Sequence, residues 1–187
     1  MLLQAHRSQL LIIDLQTRLM PHIAQSTACL NSNLWLCDIA REMDIPTTFT
    51  EQNPKGLGST HSLLLQRSPD AQIFSKTHFS AYREPLIAQH ISAQQRPQIL
   101  MTGVETHVCV LQTAMDLLTE GYEVFIIDTA VGSRRNKDKR LALQRLVAHG
   151  AEQVTPEMVA FEWLEHCQHA QFKQLSQNYI KDLSHYQ

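Results

Sequence analysis

The run Ile99-Leu100-Met101-Thr102-Gly103-Val104-Glu105-Thr106-His107-Val108-Cys109 sets a cysteine about one turn inside a predicted helix that follows directly on an apolar strand. The first backbone N–H groups of a helix lack intrahelical partners and carry the positive end of its dipole. A thiol placed there is expected to ionise more readily than the ordinary value of about 8.5. A thiolate attacks acyl carbon, and two further residues suit the same chemistry. Asp14, directly after the apolar run 10–13, can accept a proton, and Lys76, after Ile73-Phe74-Ser75, can hold a fixed positive charge. Each also has a plain structural reading: an aspartate caps a turn, a lysine is solvated, and a free cysteine is a small core residue. Position draws the three together, because each lies at the carboxyl end of a predicted strand, where ligands gather in open α/β sheets.

The elements that must do this positioning follow from the hydrophobic pattern. Short apolar runs alternate with longer segments of helical period, as in crossover units around a parallel sheet. Residues 9–14 (QLLIID) read as a first strand, apolar at nearly every position because both faces would be covered. Strands two to six are predicted over 46–50, 71–75, 98–102, 122–129 and 151–155. A helix capped by Ser26 is predicted to about Met43, and another over 85–94. From Thr106 as cap, Val110, Leu111, Ala114, Leu117 and Leu118 mark one helical face that Gly121 closes, and 137–149 form a helix closed by Gly150. Pro54, Gly56 and Gly58 mark 51–59 as a loop. The tail from Pro156 to about Leu183 reads as helical, with Phe161, Trp163, Leu164, Phe172 and Leu175 available for packing inside the chain or on a neighbour. The fold class implied is α/β: a three-layer αβα domain around a central, mostly parallel six-stranded sheet, with 1–187 as one domain.

Composition narrows the function. With 187 residues, 43% of them hydrophobic and 18% charged, and a formal net charge of -2, the chain can bury a core of its own and lacks the basic excess of a nucleic-acid binder. The expected partner is a small-molecule substrate, with no nucleic acid and no membrane. Cys29, Cys37, Cys109 and Cys167 are widely spaced and form no CxxC pair, which points to a reducing compartment. The first fourteen residues offer no continuous apolar targeting segment, and no run approaches the ~20 apolar residues of a membrane span. A cytoplasmic protein is expected.

The segments Leu11-Ile12-Ile13-Asp14-Leu15-Gln16, Ser75-Lys76 and Thr102-Gly103-Val104-Glu105-Thr106-His107-Val108-Cys109-Val110 resemble the isochorismatase-like cysteine hydrolase family, which includes nicotinamidases and carbamoylsarcosine amidases. Thr50-Glu51-Gln52-Asn53-Pro54-Lys55-Gly56-Leu57-Gly58 is similar to its isochorismatase-domain-containing branch. The resemblance implies a triad of Asp14, Lys76 and Cys109 with Cys109 as nucleophile. It also implies a cis peptide bond between Val104 and Glu105, an oxyanion hole made by the N–H groups of Glu105 and Cys109, and a homo-oligomer, dimer or larger. Nicotinamidases bind a divalent ion through an Asp-x-His motif after the second strand. Glu51-Gln52-Asn53-Pro54 departs from that pattern, so no metal or other cofactor is expected and nicotinamide is not the expected substrate.

The expected activity is hydrolysis of a small-molecule C–N (amide) bond through a thioester, with the substrate unassigned. Two readings stay open beside it. One is isochorismate-type vinyl ether hydrolysis, which family members perform without a nucleophilic cysteine. The other is a non-hydrolytic redox-sensing or scaffold role in which Cys109 meets oxidants instead of acyl groups. Position suggests Gln16, Met20, Gln52, Phe79, Tyr82, Thr106 and His107 as substrate-binding residues, with His61 and His78 as further pocket candidates. Arg134, Arg135, Lys137, Lys139 and Arg140 read as a solvated helix start, and His166-Cys167-x-His169 as the surface of an amphipathic helix rather than a metal site.

Overall fold

The structure is a computed structural model and describes residues 1–181. Six strands form one sheet: β1 (Ser8–Ile13), β2 (Thr47–Gln52), β3 (Gln72–Lys76), β4 (Gln98–Val104), β5 (Glu123–Gly132) and β6 (Glu152–Val154). Their order is β3-β2-β1-β4-β5-β6, and every neighbouring pair is parallel. The helices between and after them are α1 (Ser26–Glu42), the short α2 (Pro54–Leu57) and α3 (Ser62–Arg67), α4 (Pro85–Ala93), α5 (Leu111–Thr119), α6 (Asn136–Ala148), α7 (Pro156–Leu164) and the short α8 (Phe172–Leu175).

All six residues of β1 and all seven of β4 are buried, which is why their sequences run apolar instead of alternating. Successive side chains point to opposite faces of a strand. Leu10 and Ile12 therefore join a core under α1 and α7 with Trp35, Leu100, Phe125 and Trp163, while Leu11 and Ile13 join a second core under α4, α5 and α6 with Ile99, Met101, Val124 and Ile126. The result is a three-layer αβα sandwich. Both buried tryptophans keep a partner for their N–H: Trp163 Nε1 donates to Ser8 Oγ at 2.9 Å and Trp35 Nε1 to the Tyr179 carbonyl at 2.9 Å.

Strand and helix centres match the hydrophobic pattern, with ends shifted by a few residues. Gly121 (φ 86°) and Gly150 (φ 100°) follow α5 and α6 in the left-handed conformation expected of helix terminators. The tail departs from one continuous helix. Glu165 takes φ 58° after α7, a loop intervenes before α8, and a π turn (Ser176–Ile180) follows, so His166, Cys167 and His169 lie in a loop. The stretch predicted beyond residue 181 lies outside the described residues. Trp163, Leu164 and Leu175 are buried in the chain's own core, whereas Phe161 is exposed. Among the described residues no helix is long and apolar enough to cross a membrane.

Between β1 and β4, Gly103 pairs with Ile13 and takes φ 105°, and a Cβ built there would fall 1.9 Å from the Ile13 carbonyl oxygen. The two central strands therefore approach as they do only because position 103 has no side chain. Gly103→Ala is expected to cost about 3 kcal/mol of unfolding free energy or more. Urea denaturation followed by circular dichroism measures this, and a loss under 1 kcal/mol would mean that the strands adjust to the methyl group.

Candidate active site

Strand order reverses between β1 and β4: the chain winds outward through β2 and β3 on one side and through β5 and β6 on the other. A crevice opens at the carboxyl end of such a switch point, since the loops leaving β1 and β4 part in opposite directions. Asp14 and Cys109 enter it from those two strands. Asp14 is fully buried and sits in the left-handed region (φ 52°), which aspartate tolerates better than most residues. Its N–H donates to the Thr50 carbonyl at 3.1 Å, and its Oδ1 accepts from Thr50 Oγ1 at 2.7 Å.

Lys76 reaches the same place from β3, two strands away from β1. Pairing of Gln52 with Lys76 sets the register, and the ammonium donates to Gln52 Oε1 (2.7 Å), the Phe79 carbonyl (3.1 Å) and the His78 carbonyl (3.3 Å). It also lies 2.8 Å from Asp14 Oδ2, with both side chains at 0% exposure. An ammonium has three N–H bonds, and these have three other acceptors. The contact with Asp14 is a close buried ion pair beside those three bonds. The 77–79 loop that supplies the carbonyls is itself held by Glu84, whose Oε1 accepts from the N–H groups of Thr77 (2.7 Å) and His78 (3.0 Å). These backbone bonds hold the Glu84 carboxyl down to about 2.

Cys109 is buried and interacts with both Asp14 and Lys76. Burial first, and the Asp14 charge second, push its thiol up to about 12, with Lys76 pulling the other way. The expectation of an easily ionised thiol is thus corrected. Loss of solvent and a neighbouring carboxylate both disfavour the thiolate. The helix start differs too: Thr106–Val110 form a π turn ahead of α5, and Thr106 does not cap it but donates its hydroxyl to the Gly132 carbonyl at 2.9 Å. The Val104–Glu105 peptide bond is cis. The Glu105 carboxylate accepts from the Arg134 N–H (3.0 Å), Nε (3.1 Å) and Nη2 (2.8 Å). Burial raises the Glu105 carboxyl, but the bonds from Arg134 prevail and hold it below its usual range.

These groups border an open cleft of about 480 Å³, with Asp14 and Cys109 lining its reactive side. Leu19, Leu57, Phe79 and Val108 supply apolar wall, and His22, Gln52, Glu105 and Arg134 supply polar groups. Of the expected substrate-binding residues, Gln52 and Phe79 line the cleft and five do not. Gln16 is buried, its amide accepting from the Gln52 N–H and donating to the Gln52 and Gly58 carbonyls, so it shapes the loop after β2. Met20 is a core residue, Tyr82 stacks edge-on against Tyr122, Thr106 is held by Gly132, and His107 Nδ1 pairs with Ser133 Oγ at 3.0 Å. His61 accepts the Leu63 N–H at the start of α3, and His78 pairs with Glu84. Leu19, His22, Leu57, Val108 and Arg134 were not legible as cleft residues; Arg134 sits in a basic run that looks solvated in sequence.

The end of β2 does not fit a resident metal. Glu51 is taken up by the N–H (2.7 Å) and hydroxyl (2.8 Å) of Thr60, and the Gln52 amide holds Lys76 and the Thr77 carbonyl. Among the described residues no group of three or more His, Cys, Asp or Glu side chains could hold an ion.

A three-layer α/β sheet with polar groups converging at its switch point defines the class, and comparison defines the family. The isochorismatase domain model matches residues 8–158, and the chain belongs to the isochorismatase family of hydrolases. Isochorismatase family protein 1B of Dictyostelium discoideum is 37% identical over 173 residues, covering 90% of this chain and 84% of that one. Among solved structures, the MAR1 ribonuclease of Caenorhabditis elegans superposes with a TM-score of 0.91 at 32% identity, covering 97% of this chain and 93% of that one. The YcaC gene product of Escherichia coli, described as an octameric hydrolase of unknown specificity, does so with a TM-score of 0.91 at 25% identity, covering 98% and 93%.

Two pH dependences follow from the site. Because the folded Cys109 thiol titrates near 12, its alkylation by iodoacetamide should rise about tenfold per pH unit from 7 to 10 without a plateau; a plateau below pH 8 would contradict the burial argument. Glu84 titrates lower in the folded chain than in the unfolded one, so its contribution is complete above about 4.5 and disappears as pH falls towards 2. The stability difference between the native chain and Glu84→Gln should therefore be constant above pH 5 and shrink steadily below it, as read by urea denaturation at each pH.

Proposed function

We propose that the protein is a cysteine hydrolase that cleaves the C–N bond of a small amide through a thioester on Cys109, with Asp14 as proton carrier and Lys76 as the fixed cation beside it. The observation that carries this reading is the fully buried Lys76–Asp14 pair, 2.8 Å apart, whose aspartate shares with Cys109 the lining of a cleft of small-molecule size. Three groups of this kind in one water-poor place match the needs of acyl transfer: nucleophile, proton acceptor and charge balance.

The chemistry starts from a neutral thiol. As sulfur bonds to the substrate carbonyl carbon, its proton passes to Asp14 Oδ2, the oxygen paired with Lys76. The carbonyl π electrons move to oxygen, where the N–H groups of Glu105 and Cys109 are the assigned donors; one such donor is typically worth about 10²- to 10³-fold in rate. The oxyanion collapses, the C–N bond breaks, and Asp14 protonates the leaving nitrogen, which departs as ammonia if the amide is primary. Water then attacks the thioester while giving a proton to Asp14, and the departing sulfur takes that proton back. Lys76 keeps its own protons throughout, and its charge stabilises whichever partner is anionic. General acid–base transfer of this kind supplies about 10²- to 10⁴-fold.

The same reading covers assembly and location. The YcaC gene product is described as octameric, and this chain is read as a homo-oligomer as well; the exposed apolar side chains of Leu2, Met158 and Phe161 around one groove fit that view. All four cysteines are free, in keeping with a reducing, cytoplasmic setting.

An ammonia-release screen over small primary amides tests the activity. Turnover should fall by about 10³-fold or more in Cys109→Ala and Asp14→Asn, and acid quenching should trap an acyl adduct on the Cys109 peptide. Amide turnover that persists in both variants would overturn the reading. So would cleavage of isochorismate or RNA that survives Cys109→Ala in the absence of any amide turnover.

A further inference from the structure

We infer that Gln16 and Gln52 are positioning residues: their amides close a ring of contacts with Asp14 and Lys76 that fixes the ammonium beside the carboxylate before any ligand arrives. This rests on the reading of Lys76 as the fixed cation of the site, proposed above. From their places after β1 and at the end of β2, both glutamines look like ligand contacts. Their hydrogen bonds point inward instead. Gln16 is fully buried and its amide is taken up by backbone: Oε1 accepts from the Gln52 N–H at 2.8 Å, and Nε2 donates to the carbonyls of Gln52 at 3.1 Å and Gly58 at 2.6 Å. Gln52 passes the constraint on. Its Oε1 accepts from the Lys76 ammonium at 2.7 Å, and its Nε2 donates to the Thr77 carbonyl at 2.9 Å.

The links form a closed circuit. Asp14 pairs with Lys76 at 2.8 Å, Lys76 is bound by the Gln52 amide, and the Gln52 backbone is bound by the Gln16 amide. Gln16 returns the circuit to its start, since its own N–H donates to the Asp14 carbonyl at 2.7 Å. The loop after β1 and the ends of β2 and β3 are thus each tied to the other two by side chains, beyond the bonds of the sheet itself. An ammonium rides on a flexible four-carbon stem and stays in one place only when its hydrogens are engaged. All three acceptors of Lys76, the Gln52 amide and the His78 and Phe79 carbonyls, are neutral, so its charge is left to Asp14. Gln52 also lines the cleft, which makes the clamp on Lys76 part of the wall a ligand meets. Misplacement of a reacting group by about 1 Å can cost on the order of 10²-fold in rate, so a device of this kind acts on turnover without touching substrate.

The ammonium itself reports the clamp, with no need for hydrolysis. Lys76 is the one buried lysine among the described residues, and hydrogens that are bonded and shielded from water exchange slowly. In protein carrying ¹⁵N-lysine, NMR in cold, slightly acidic buffer should show a protected ammonium resonance, assigned by its loss in Lys76→Arg. Gln52→Met removes the acceptor at nearly constant volume and should speed exchange with water about tenfold or more. Gln52→Glu restores an acceptor oxygen and should keep exchange within about threefold of native. Gln16→Met alters no atom in contact with Lys76, yet should speed exchange about threefold or more. For any amide turned over in the screen, Gln52→Met should lower kcat about tenfold or more and move KM by less than about threefold, the reverse of what loss of a ground-state substrate contact does.

A native chain without a protected ammonium resonance would overturn the inference. So would exchange unchanged in Gln52→Met, or an effect of that variant confined to KM. Should either Met variant fail to fold, Gln52→Asn, one methylene too short to reach Lys76, takes its place with the same expected gain in exchange. The amide screen is separate. A clamped ammonium without amide turnover rejects hydrolysis and keeps the positioning roles, while turnover by a chain whose Lys76 ammonium exchanges freely does the reverse.

Discussion

Two opposite charges with no contact to solvent, Lys76 and Asp14, are the interaction around which the rest of the molecule is arranged. Taking either ion out of water costs several kcal/mol, which their mutual attraction offsets only when geometry is close and the remaining polar atoms have partners. That demand fixes much of the architecture. Lys76 stands on β3 and Asp14 after β1, so β2 must lie between them in a register that brings Gln52 beside Lys76. Thr50, also from β2, satisfies Asp14 Oδ1. The carbonyls of His78 and Phe79 complete the ammonium's partners, and Glu84 holds the loop that carries them.

Cys109 completes this arrangement from the other side of the switch point. The pair beside it is internally neutral, and the low dielectric that strengthens the pair also disfavours a free thiolate. The thiol is held up to about 12 for that reason. In the proposed reaction Cys109 passes its proton to a partner as the new bond forms, and Asp14 Oδ2 is the acceptor assigned to it. Reactivity then depends on ligand geometry more than on standing ionisation, which protects the sulfur from chance electrophiles.

Residues around the cleft divide by origin. Asp14 and Cys109 enter just past the ends of β1 and β4, and loops provide the walls: Leu19 after β1, Leu57 and Gln52 from the β2 turn, Phe79 after β3, and Arg134 after β5. Glu105 links the two sets, since it follows β4 and fixes the Arg134 guanidinium. Both ion pairs at this end of the sheet, Lys76–Asp14 and Arg134–Glu105, are closed within the chain.

Local pattern was enough to find the strands, the terminating glycines at 121 and 150, and three chemically able residues at strand ends, because hydrophobic period and strand-end position are properties of a few neighbouring residues. It was not enough to rank side chains around the site. Gln16 looks like a ligand contact in sequence yet its amide is consumed by the backbone of residues 52 and 58, and Arg134 looks solvated yet is held by a carboxylate 29 positions away. The thiol's resistance to ionisation was equally out of reach. Desolvation and charge pairing depend on distances between groups far apart in the chain, and those distances exist only once β1, β3 and β4 have been brought to one sheet.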